Sequence, residues 1–314
     1  MSQSSARGGR ENKSTVPDSE HNSAAKISTG FVVGVLVFQQ TMAALAFPIS
    51  KYGLEIIEPF AFGFYRFIIS SLVLLAINRF INHSVRIEKK DYWKIWGLGI
   101  LIIPLNQLAF LYGQSLTSSG HGAILFATTP IWIFLIAQFI LKEKLIIRRA
   151  IGIVIAVVGV IVLMTGGAVE LGTEYLYGDL LILLAVLTWA FYTVFGKELV
   201  RKYGALRITA YALSSGTVLY LPFGAYFASQ LDYAAVSMGG WLAVLYMAIG
   251  TSVIAYGLWY WALKYMDASR MAVFHNIQPV VATIVAFFWL GEPLGIEFII
   301  GGVIVLGGVI LAEV

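Results

Sequence analysis

Cysteine is absent from this 314-residue sequence, and charged side chains are scarce. The missing cysteine excludes disulfides and thiol chemistry, and it says nothing about the compartment. Only 12% of the residues are charged whereas 59% are hydrophobic, and a water-soluble domain of this size needs roughly twice that charge on its surface. The composition therefore excludes an ordinary soluble protein and indicates a chain that lies in a lipid bilayer.

Several functional motifs are also missing. No Gly-rich phosphate-binding loop ending in Lys-Ser/Thr occurs, which excludes transport driven by ATP. The sequence has neither a His-Glu-x-x-His zinc motif nor a pair of mid-membrane aspartates, which disfavours an intramembrane protease. Asp and Glu are absent from the middle of every apolar stretch, so a carboxylate proton relay is not available. We therefore expect no enzyme activity, no catalytic residue, no cofactor and no metal site.

Apolar stretches of roughly membrane-spanning length dominate the rest of the chain. Residues 1–28 are polar, rich in Ser, Asn, Lys and Arg, and predict a disordered cytoplasmic N-terminal tail. Ten apolar stretches follow, at roughly 30–50, 59–78, 94–114, 119–140, 149–167, 176–196, 207–228, 241–263, 270–290 and 295–313. An even number of spans places both chain ends on the same side of the membrane.

The basic residues lie almost entirely on one side of this arrangement. All 21 Lys and Arg except Lys51 and Arg66 lie in the tail or in the loops after the second, fourth, sixth and eighth stretches. Basic loops remain in the cytoplasm during insertion. We therefore expect a multi-pass protein of the cell inner (plasma) membrane with both termini cytoplasmic. Orientation explains the net charge of +4 better than nucleic-acid binding, and we expect no nucleic-acid partner.

A pattern of five landmarks occurs twice, and one shift of 149 residues superimposes all of them. The landmarks are Ala123, Pro130, Glu143, Gly152 and Gly159, then Ala272, Pro279, Glu292, Gly301 and Gly308. Such an internal repeat is a strong guide to architecture. Its unit holds five stretches, an odd number, so the second copy enters the membrane upside down. The sequence therefore predicts an all-α integral membrane protein with ten transmembrane helices in two inverted five-helix repeats, residues 29–167 and 176–314.

Other segments resemble a known family. They are Phe47-Pro48-Ile49-Ser50-Lys51-Tyr52-Gly53 with Pro59 and Tyr65-Arg66-Phe67, then Gly178-Asp179 with Trp189-Ala190-Phe191-Tyr192. Together with the repeat, they are similar to EamA-type members of the drug/metabolite transporter superfamily. The resemblance covers about residues 30 to 314. It implies a carrier whose cavity is lined by helices 1, 3, 4, 6, 8 and 9, with helices 5 and 10 at the periphery.

Arg66 is the first candidate for a substrate-binding residue. It lies about eight residues into the second stretch, roughly 12 Å deep at 1.5 Å per residue. An arginine at that depth costs at least about 2.5 kcal/mol on insertion scales and should face protein or water. Arg66 either anchors a substrate carboxylate or phosphate, or it fixes helix packing by binding backbone carbonyls.

Amide and imidazole side chains supply further candidates inside the apolar stretches. Gln39 and Asn106 are expected to line the path, although buried amides also bridge helices in membranes. His275 and Gln278 precede Pro279, whose ring frees a backbone carbonyl one turn earlier. His275 either carries a coupling proton or lies at a water-exposed rim.

Aromatic pairs complete the predicted site. Trp189 and Tyr192 are three residues apart in mid-helix and share a face, as do Tyr256 and Tyr260 at a spacing of four. Such a wall suits an apolar or cationic substrate, although many membrane Trp and Tyr residues are interfacial anchors.

Two functional classes remain open from sequence. The first is a secondary transporter that exports small organic solutes, either amino acids and metabolites or drugs, by alternating access between inverted repeats. The alternative is a non-transporting membrane sensor or scaffold on the same fold, whose interior would be filled and apolar. The expected partners are a small-molecule substrate and the lipid bilayer. A homodimer is possible through the glycine-rich faces of helices 5 and 10.

Overall fold

A computed structural model describes residues 28–81, 86–117, 122, 125–144, 146–165, 175–290 and 296–313 of the chain. All regular secondary structure in these ranges is helical, so this part of the protein is all-α, as the composition predicts. The predicted tail up to residue 27 and the turn that carries Glu292 lie outside the described residues.

Seven helices are α-helical over all or nearly all of their length. They are α1 (Thr29–Ile56), α2 (Pro59–Phe80), α4 (Leu125–Leu141), α5 (Ile147–Thr165), α6 (Leu176–Tyr203), α7 (Ala205–Ser229) and α10 (Ile296–Glu313). Helices α1 and α6 continue past the apolar stretches predicted from sequence, because their polar ends extend the same helix.

Three further helices are interrupted by a segment of π-helix or 3-10 helix. Helix α3 (Lys89–Leu116) contains a π-helical segment at Leu101–Gln107, and α8 (Met238–Ala262) contains one at Tyr246–Ala255. Helix α9 consists of an α-helical start, a 3-10 segment and a longer α-helix, at Ala268–Ala272, Val273–Asn276 and Ile277–Leu290. A π-helical turn widens a helix locally and is frequent at functional sites.

The helix ends follow the local sequence. The Ser28 hydroxyl accepts the backbone N–H of Phe31 at the start of α1, and the Glu58 carboxylate caps α2, which begins at Pro59. Helix α4 ends at Lys142, whose φ of 52° is left-handed. Gly204, with φ 91°, links α6 directly to α7, since glycine adopts this conformation without a Cβ clash.

The outer faces of the helices are apolar. By length and composition, α1, α2, α3, α6 and α8 can each cross a membrane, while α4 and residues Ile299–Ala312 of α10 are apolar but shorter. Large side chains such as Leu72, Phe139 and Val303 point outward and are more than half exposed. Exposed apolar area on this scale is unfavourable in water and matches lipid. The fold is that of a multi-pass membrane protein.

Helices α5 and α10 pack against each other along their glycines, in the most extensive helix pair of the described structure. A Cβ added at Gly152 would lie 2.7 Å from the backbone oxygen of Gly308, and one at Gly159 would lie 3.0 Å from that of Gly301. Only glycine permits so close an approach of two backbones. Gly152, Gly159, Gly301 and Gly308 therefore meet within one chain, and the possible homodimer stays a prediction.

The other helices pair across the two halves of the chain. Helix α1 contacts α8 and α9, whereas α6 contacts α3 and α4. Helix α2 packs against α7, and α7 also contacts α3. These contacts surround a central region in which both halves supply side chains.

Candidate functional site

A cavity of about 70 Å³ lies between the halves. It is lined by Gln39, Ala43, Ala46, Phe47, Arg66, Asn106, Gln107, Phe110, Phe126, Trp189, Met247, Thr251, Ala255, Tyr256, His275 and Gln278. These side chains come from α1, α2, α3 and α4 of the first half and from α6, α8 and α9 of the second. Helices α5 and α10 contribute none, as the family resemblance implies. The contribution of α2, through Arg66, was not part of that implied lining.

Arg66 is buried in this cavity, with 1% of its surface exposed. Its Nε donates to the hydroxyl of Ser252 at 3.1 Å, and its Nη2 donates to the hydroxyl of Thr251 at 3.0 Å. Both hydroxyls donate in turn to the backbone oxygen of Met247 in the π-helical segment of α8. The segment thus turns two neighbouring hydroxyl oxygens toward one guanidinium.

The third guanidinium nitrogen of Arg66 has no partner. The Tyr256 hydroxyl neighbours the guanidinium, yet Nη1 makes no hydrogen bond to any residue that the structure describes. Among the described residues, no carboxylate pairs with Arg66, and no Asp or Glu lines the cavity. A buried cation with neutral partners only remains electrostatically uncompensated. Arg66 is therefore the strongest candidate in the site for binding an anion.

His275 uses both ring nitrogens inside the protein. The indole N–H of Trp189 donates to His275 Nε2 at 3.0 Å, and His275 Nδ1 lies 3.2 Å from the backbone oxygen of Ala272. An indole N–H can only donate and a carbonyl can only accept, so Nδ1 carries the proton and Nε2 carries a lone pair. A second proton would break the bond to Trp189. This geometry favours a positioning role over proton transfer.

The amide side chains form two short hydrogen-bonded pairs. Gln278 Nε2 donates to Gln40 Oε1 at 2.5 Å, which joins α9 to α1. Asn106 Nδ2 donates to the backbone oxygen of Ala185 at 2.5 Å, and its Oδ1 accepts from Gln107. These bonds fix α3 against α6. The Oε1 atom of Gln39 is buried without a hydrogen-bond partner and remains a free acceptor.

The aromatic residues divide into two groups. Trp189 and Tyr256 lie on the cavity with ring centroids 4.9 Å apart. Tyr192 and Tyr260 do not line it; their rings stack at 4.7 Å, and the Tyr260 hydroxyl donates to the backbone oxygen of Tyr192. The structure thus brings seven of the nine predicted site residues to one cavity, and it places the Tyr192–Tyr260 pair behind it.

Sequence reasoning missed the two hydroxyls that bind Arg66. Thr251 and Ser252 follow Gly250 within an apolar run, and small hydroxyl residues in such a run carry no distinct signal. The repeat gives no signal either, because the residue 149 positions before Thr251 is the apolar Ile102. The apolar lining, including Phe47, Phe110 and Met247, was not predicted either.

A second polar region, the ionic cluster, joins the ends of α4, α5, α6 and α9. It consists of Glu143, Arg149, Lys197, Asp267 and Ser269. The Lys197 ammonium lies 2.6 Å from the Glu143 carboxylate and 3.2 Å from that of Asp267. The Glu143 carboxylate also accepts the backbone N–H of Ala268 at 3.0 Å and the hydroxyl of Ser269 at 2.5 Å. Glu143 thus ties the end of α4 to α6 and to the start of α9.

A cavity of about 400 Å³ adjoins the ionic cluster and is larger than the central one. Its buried charges are paired with one another, since Lys197 and Arg149 both contact Asp267. With Lys144, Glu198 and Arg201, the lining carries four cations and three carboxylates, so most of its charge is balanced within the cavity. The smaller central cavity, whose buried cation has no carboxylate partner in the described structure, is the better candidate site.

A neighbouring group of charges links the start of α3 to the end of α6. Lys202 lies 2.6 Å from Glu88 and 2.8 Å from Asp91, and the Tyr203 hydroxyl donates to Asp91 at 2.5 Å. The hydrogen bonds from Lys202 and Lys90 lower the pKa of the exposed Glu88 carboxyl. This group ties helix ends together far from the central cavity.

Comparisons with known proteins agree with this architecture. A model of the EamA-like transporter family matches residues 31–165 and 176–313. An uncharacterized transporter of Bacillus subtilis (strain 168), YetK, is 32% identical over 269 residues, covering 85% of this chain and 82% of the relative. An uncharacterized transporter of Archaeoglobus fulgidus is 29% identical over 279 residues, covering 88% and 96%. One crystal structure, 20% identical, has a TM-score of 0.72 over 90% of this chain and 94% of that one, which shows a likeness of fold alone.

Apolar helices around a buried cavity that holds polar side chains define a multi-pass membrane protein, the class to which solute transporters belong. The family match extends over nearly all of the helical chain. This chain belongs to the EamA-like transporter family, within the drug/metabolite transporter superfamily, and it is a membrane transporter.

Proposed function

We propose that this protein is a secondary transporter that exports a small organic solute by alternating access between two inverted halves. The halves are residues 29–167 and 176–314, with ten transmembrane helices in total. Both termini face the cytoplasm, and the protein resides in the cell inner (plasma) membrane. The distribution of Lys and Arg among alternate loops supports this orientation.

The exchange of helix contacts between the halves supports the inverted repeat. Helix α1 contacts α8 and α9, which are the third and fourth helices of the second half. Helix α6, the first helix of that half, contacts α3 and α4 in return. Helix α2 pairs with α7, and α5 pairs with α10. A two-fold axis between the halves produces this reciprocal pattern.

The two π-helical segments give further support. Leu101–Gln107 in α3 and Tyr246–Ala255 in α8 occupy corresponding places under the repeat shift. Each contributes side chains to the cavity: Asn106 and Gln107 from α3, and Thr251 from α8. Irregular helix geometry near the midplane is typical of transporter binding sites.

The observation that carries the proposal is the polar cavity between the halves. A scaffold has no use for a buried, uncompensated Arg66, whereas a carrier uses such a group to bind its solute. The cavity of about 70 Å³ is much smaller than the roughly 300 Å³ or more of usual ligand sites. The protein must therefore open from this compact conformation to load a solute, as alternating access requires.

A cavity-filling substitution tests the proposal. Ala43 lines the cavity, and Ala43→Phe fills most of it, whereas Val154 faces outward on α5 and Val154→Phe adds the same ring there. The growth medium of cells that express each variant at matched membrane levels is compared with that of wild-type cells by untargeted mass spectrometry.

We expect one compound or a small group to accumulate outside cells with wild-type protein or Val154→Phe, and to be lost with Ala43→Phe. The carrier function is refuted, and the scaffold favoured, if no compound differs in the medium of wild-type, Val154→Phe and Ala43→Phe cells and if reconstituted vesicles transport neither amino acids nor dyes.

A further inference from the structure

The charge of the central cavity restricts what it can bind. Arg66 is the only residue with a fixed charge among the described residues that line it. The guanidinium donates to two neutral hydroxyls, those of Ser252 and Thr251, and a third neutral hydroxyl, that of Tyr256, lies beside it. Nη1 makes no hydrogen bond within the part of the chain that the structure describes. A bound anion with one negative charge neutralises this site, and it can accept a hydrogen bond from Nη1.

Other charge states fit the cavity less well. A dianion such as a phosphate monoester brings a second negative charge, for which no described lining residue offers a cation. A zwitterion brings its own positive charge and leaves the Arg66 charge uncompensated overall. In a buried site of low dielectric, either excess charge is unfavourable. The site therefore favours a single net negative charge.

The rest of the lining defines the remainder of the ligand. Gln39 offers a free acceptor, Oε1, in the same cavity, and this atom needs an O–H or N–H donor from the ligand. Phe47, Phe110, Phe126 and Met247 give the other walls an apolar surface. These walls fit a short hydrocarbon chain.

From these contacts we infer that the solute is a small organic monocarboxylate with a neutral hydrogen-bond donor, such as the hydroxyl of a 2-hydroxy acid. Its carboxylate binds Arg66 Nη1, its hydroxyl donates to Gln39 Oε1, and its carbon chain contacts the aromatic wall. This inference rests on the proposed carrier function, because it names the substrate class of the same cavity.

A matched set of four small probes separates the charge states. Lactate carries one negative charge, lactamide none, alanine is a zwitterion and tartronate carries two negative charges. Each probe is measured against purified full-length protein in lipid nanodiscs by thermal stabilisation, and against protein in vesicles by inhibition of labelled lactate counterflow. Longer unbranched 2-hydroxy acids extend the series toward more apolar contact.

Three substitutions on the same helix supply the comparison. Arg66→Gln removes the cavity charge, and Arg66→Lys keeps it. Arg79→Gln removes an exposed cation of α2 outside the cavity and serves as the matched control. The ratio of carboxylate to amide affinity is the decisive readout, because a purely structural role of Arg66 lowers both affinities together.

We expect wild-type protein to bind a 2-hydroxy acid at least tenfold more tightly than the matched amide, amino acid or dianion. Arg79→Gln and Arg66→Lys should keep this preference, and Arg66→Gln should abolish or invert it. The inference is overturned if wild-type protein prefers alanine or lactamide, if Arg66→Gln retains the carboxylate preference, or if no 2-hydroxy acid binds. Transport of a neutral or zwitterionic solute would overturn the inference while leaving the carrier function intact.

Discussion

We predict that the buried Lys197–Glu143 ion pair, which ties the end of α4 to α6, holds this compact conformation closed. The side chains of Lys197 and Glu143 are 5% and 7% exposed, so solvent screens their attraction only weakly. Removing one partner of a buried pair costs about 3–5 kcal/mol, because it leaves an uncompensated charge. Without the Glu143 carboxylate, Lys197 still has an ion-pair partner in Asp267 at 3.2 Å, although that side chain is 47% exposed and compensates the charge less well. We therefore expect Glu143→Gln to weaken this closure by about 2–3 kcal/mol.

The absence of cysteine from the chain makes the assay simple, since one introduced cysteine is the only labelling site. Ala272 is buried on α9 between Ser269 of the ionic cluster and His275 of the cavity, and Ala272→Cys reports on the path between them. A loss of 2 kcal/mol in closure raises the open population about 30-fold. We expect Glu143→Gln to accelerate maleimide labelling of this cysteine in nanodiscs by at least about tenfold.

A double-mutant cycle and a control variant complete the test. The double variant Glu143→Gln/Lys197→Gln should label more slowly than the added free-energy effects of the two single variants predict. The difference corresponds to a coupling energy of about 1–3 kcal/mol. Glu88→Gln disrupts an exposed pair at the end of α6 and should change labelling less than twofold. An unchanged labelling rate in Glu143→Gln, together with a lower melting temperature, would refute a gating role and leave a structural one.

Two further predictions concern packing and protonation. Gly152→Ala places a Cβ 2.7 Å from the α10 backbone and should lower the free energy of unfolding by about 1–3 kcal/mol. Gly302→Ala, with nothing within 4 Å of its Cβ, should have little effect. Thermal unfolding in detergent compares the two variants, and equal melting temperatures would contradict the close α5–α10 contact. His275→Gln keeps an acceptor for the Trp189 indole, so transport should retain its pH dependence between pH 5.5 and 8, measured in vesicles. A flattened pH profile would instead identify His275 as a proton carrier.

The sequence alone predicted the parts of the fold that depend on composition and local spacing. Apolar stretches of about membrane-spanning length give helices, and the helices of the structure lie close to the predicted ranges. Gly152 and Gly159, like Gly301 and Gly308, recur seven residues apart and so share a helix face that permits close approach, and the structure packs α5 against α10 along these faces. Arg66 stood out because a charge in an apolar helix is costly wherever the helix is placed.

Local spacing did not reveal which side chains share the cavity. Trp189 and Tyr192 are three residues apart on α6, yet only Trp189 lines the cavity, and Tyr192 stacks on Tyr260 instead. The contact between α8 and α6 decides between these two positions, because Tyr260 of α8 covers Tyr192. Spacing along one helix gives a face, and the neighbouring helix determines which part of that face is covered.

The sequence by itself determined that the chain lies in lipid, which segments are helical, that a pattern repeats and that a cation lies inside an apolar segment. Each of these follows from residue type and order along the chain. Only the tertiary structure decided what surrounds that cation. The hydroxyls of Thr251 and Ser252 meet Arg66 across about 185 residues of sequence, through a π-helical segment with no distinct sequence signal. It also decided that Nη1 is left free, because hydrogen-bond partners in a membrane protein depend on how helices cross and not on how far apart their residues lie in the chain.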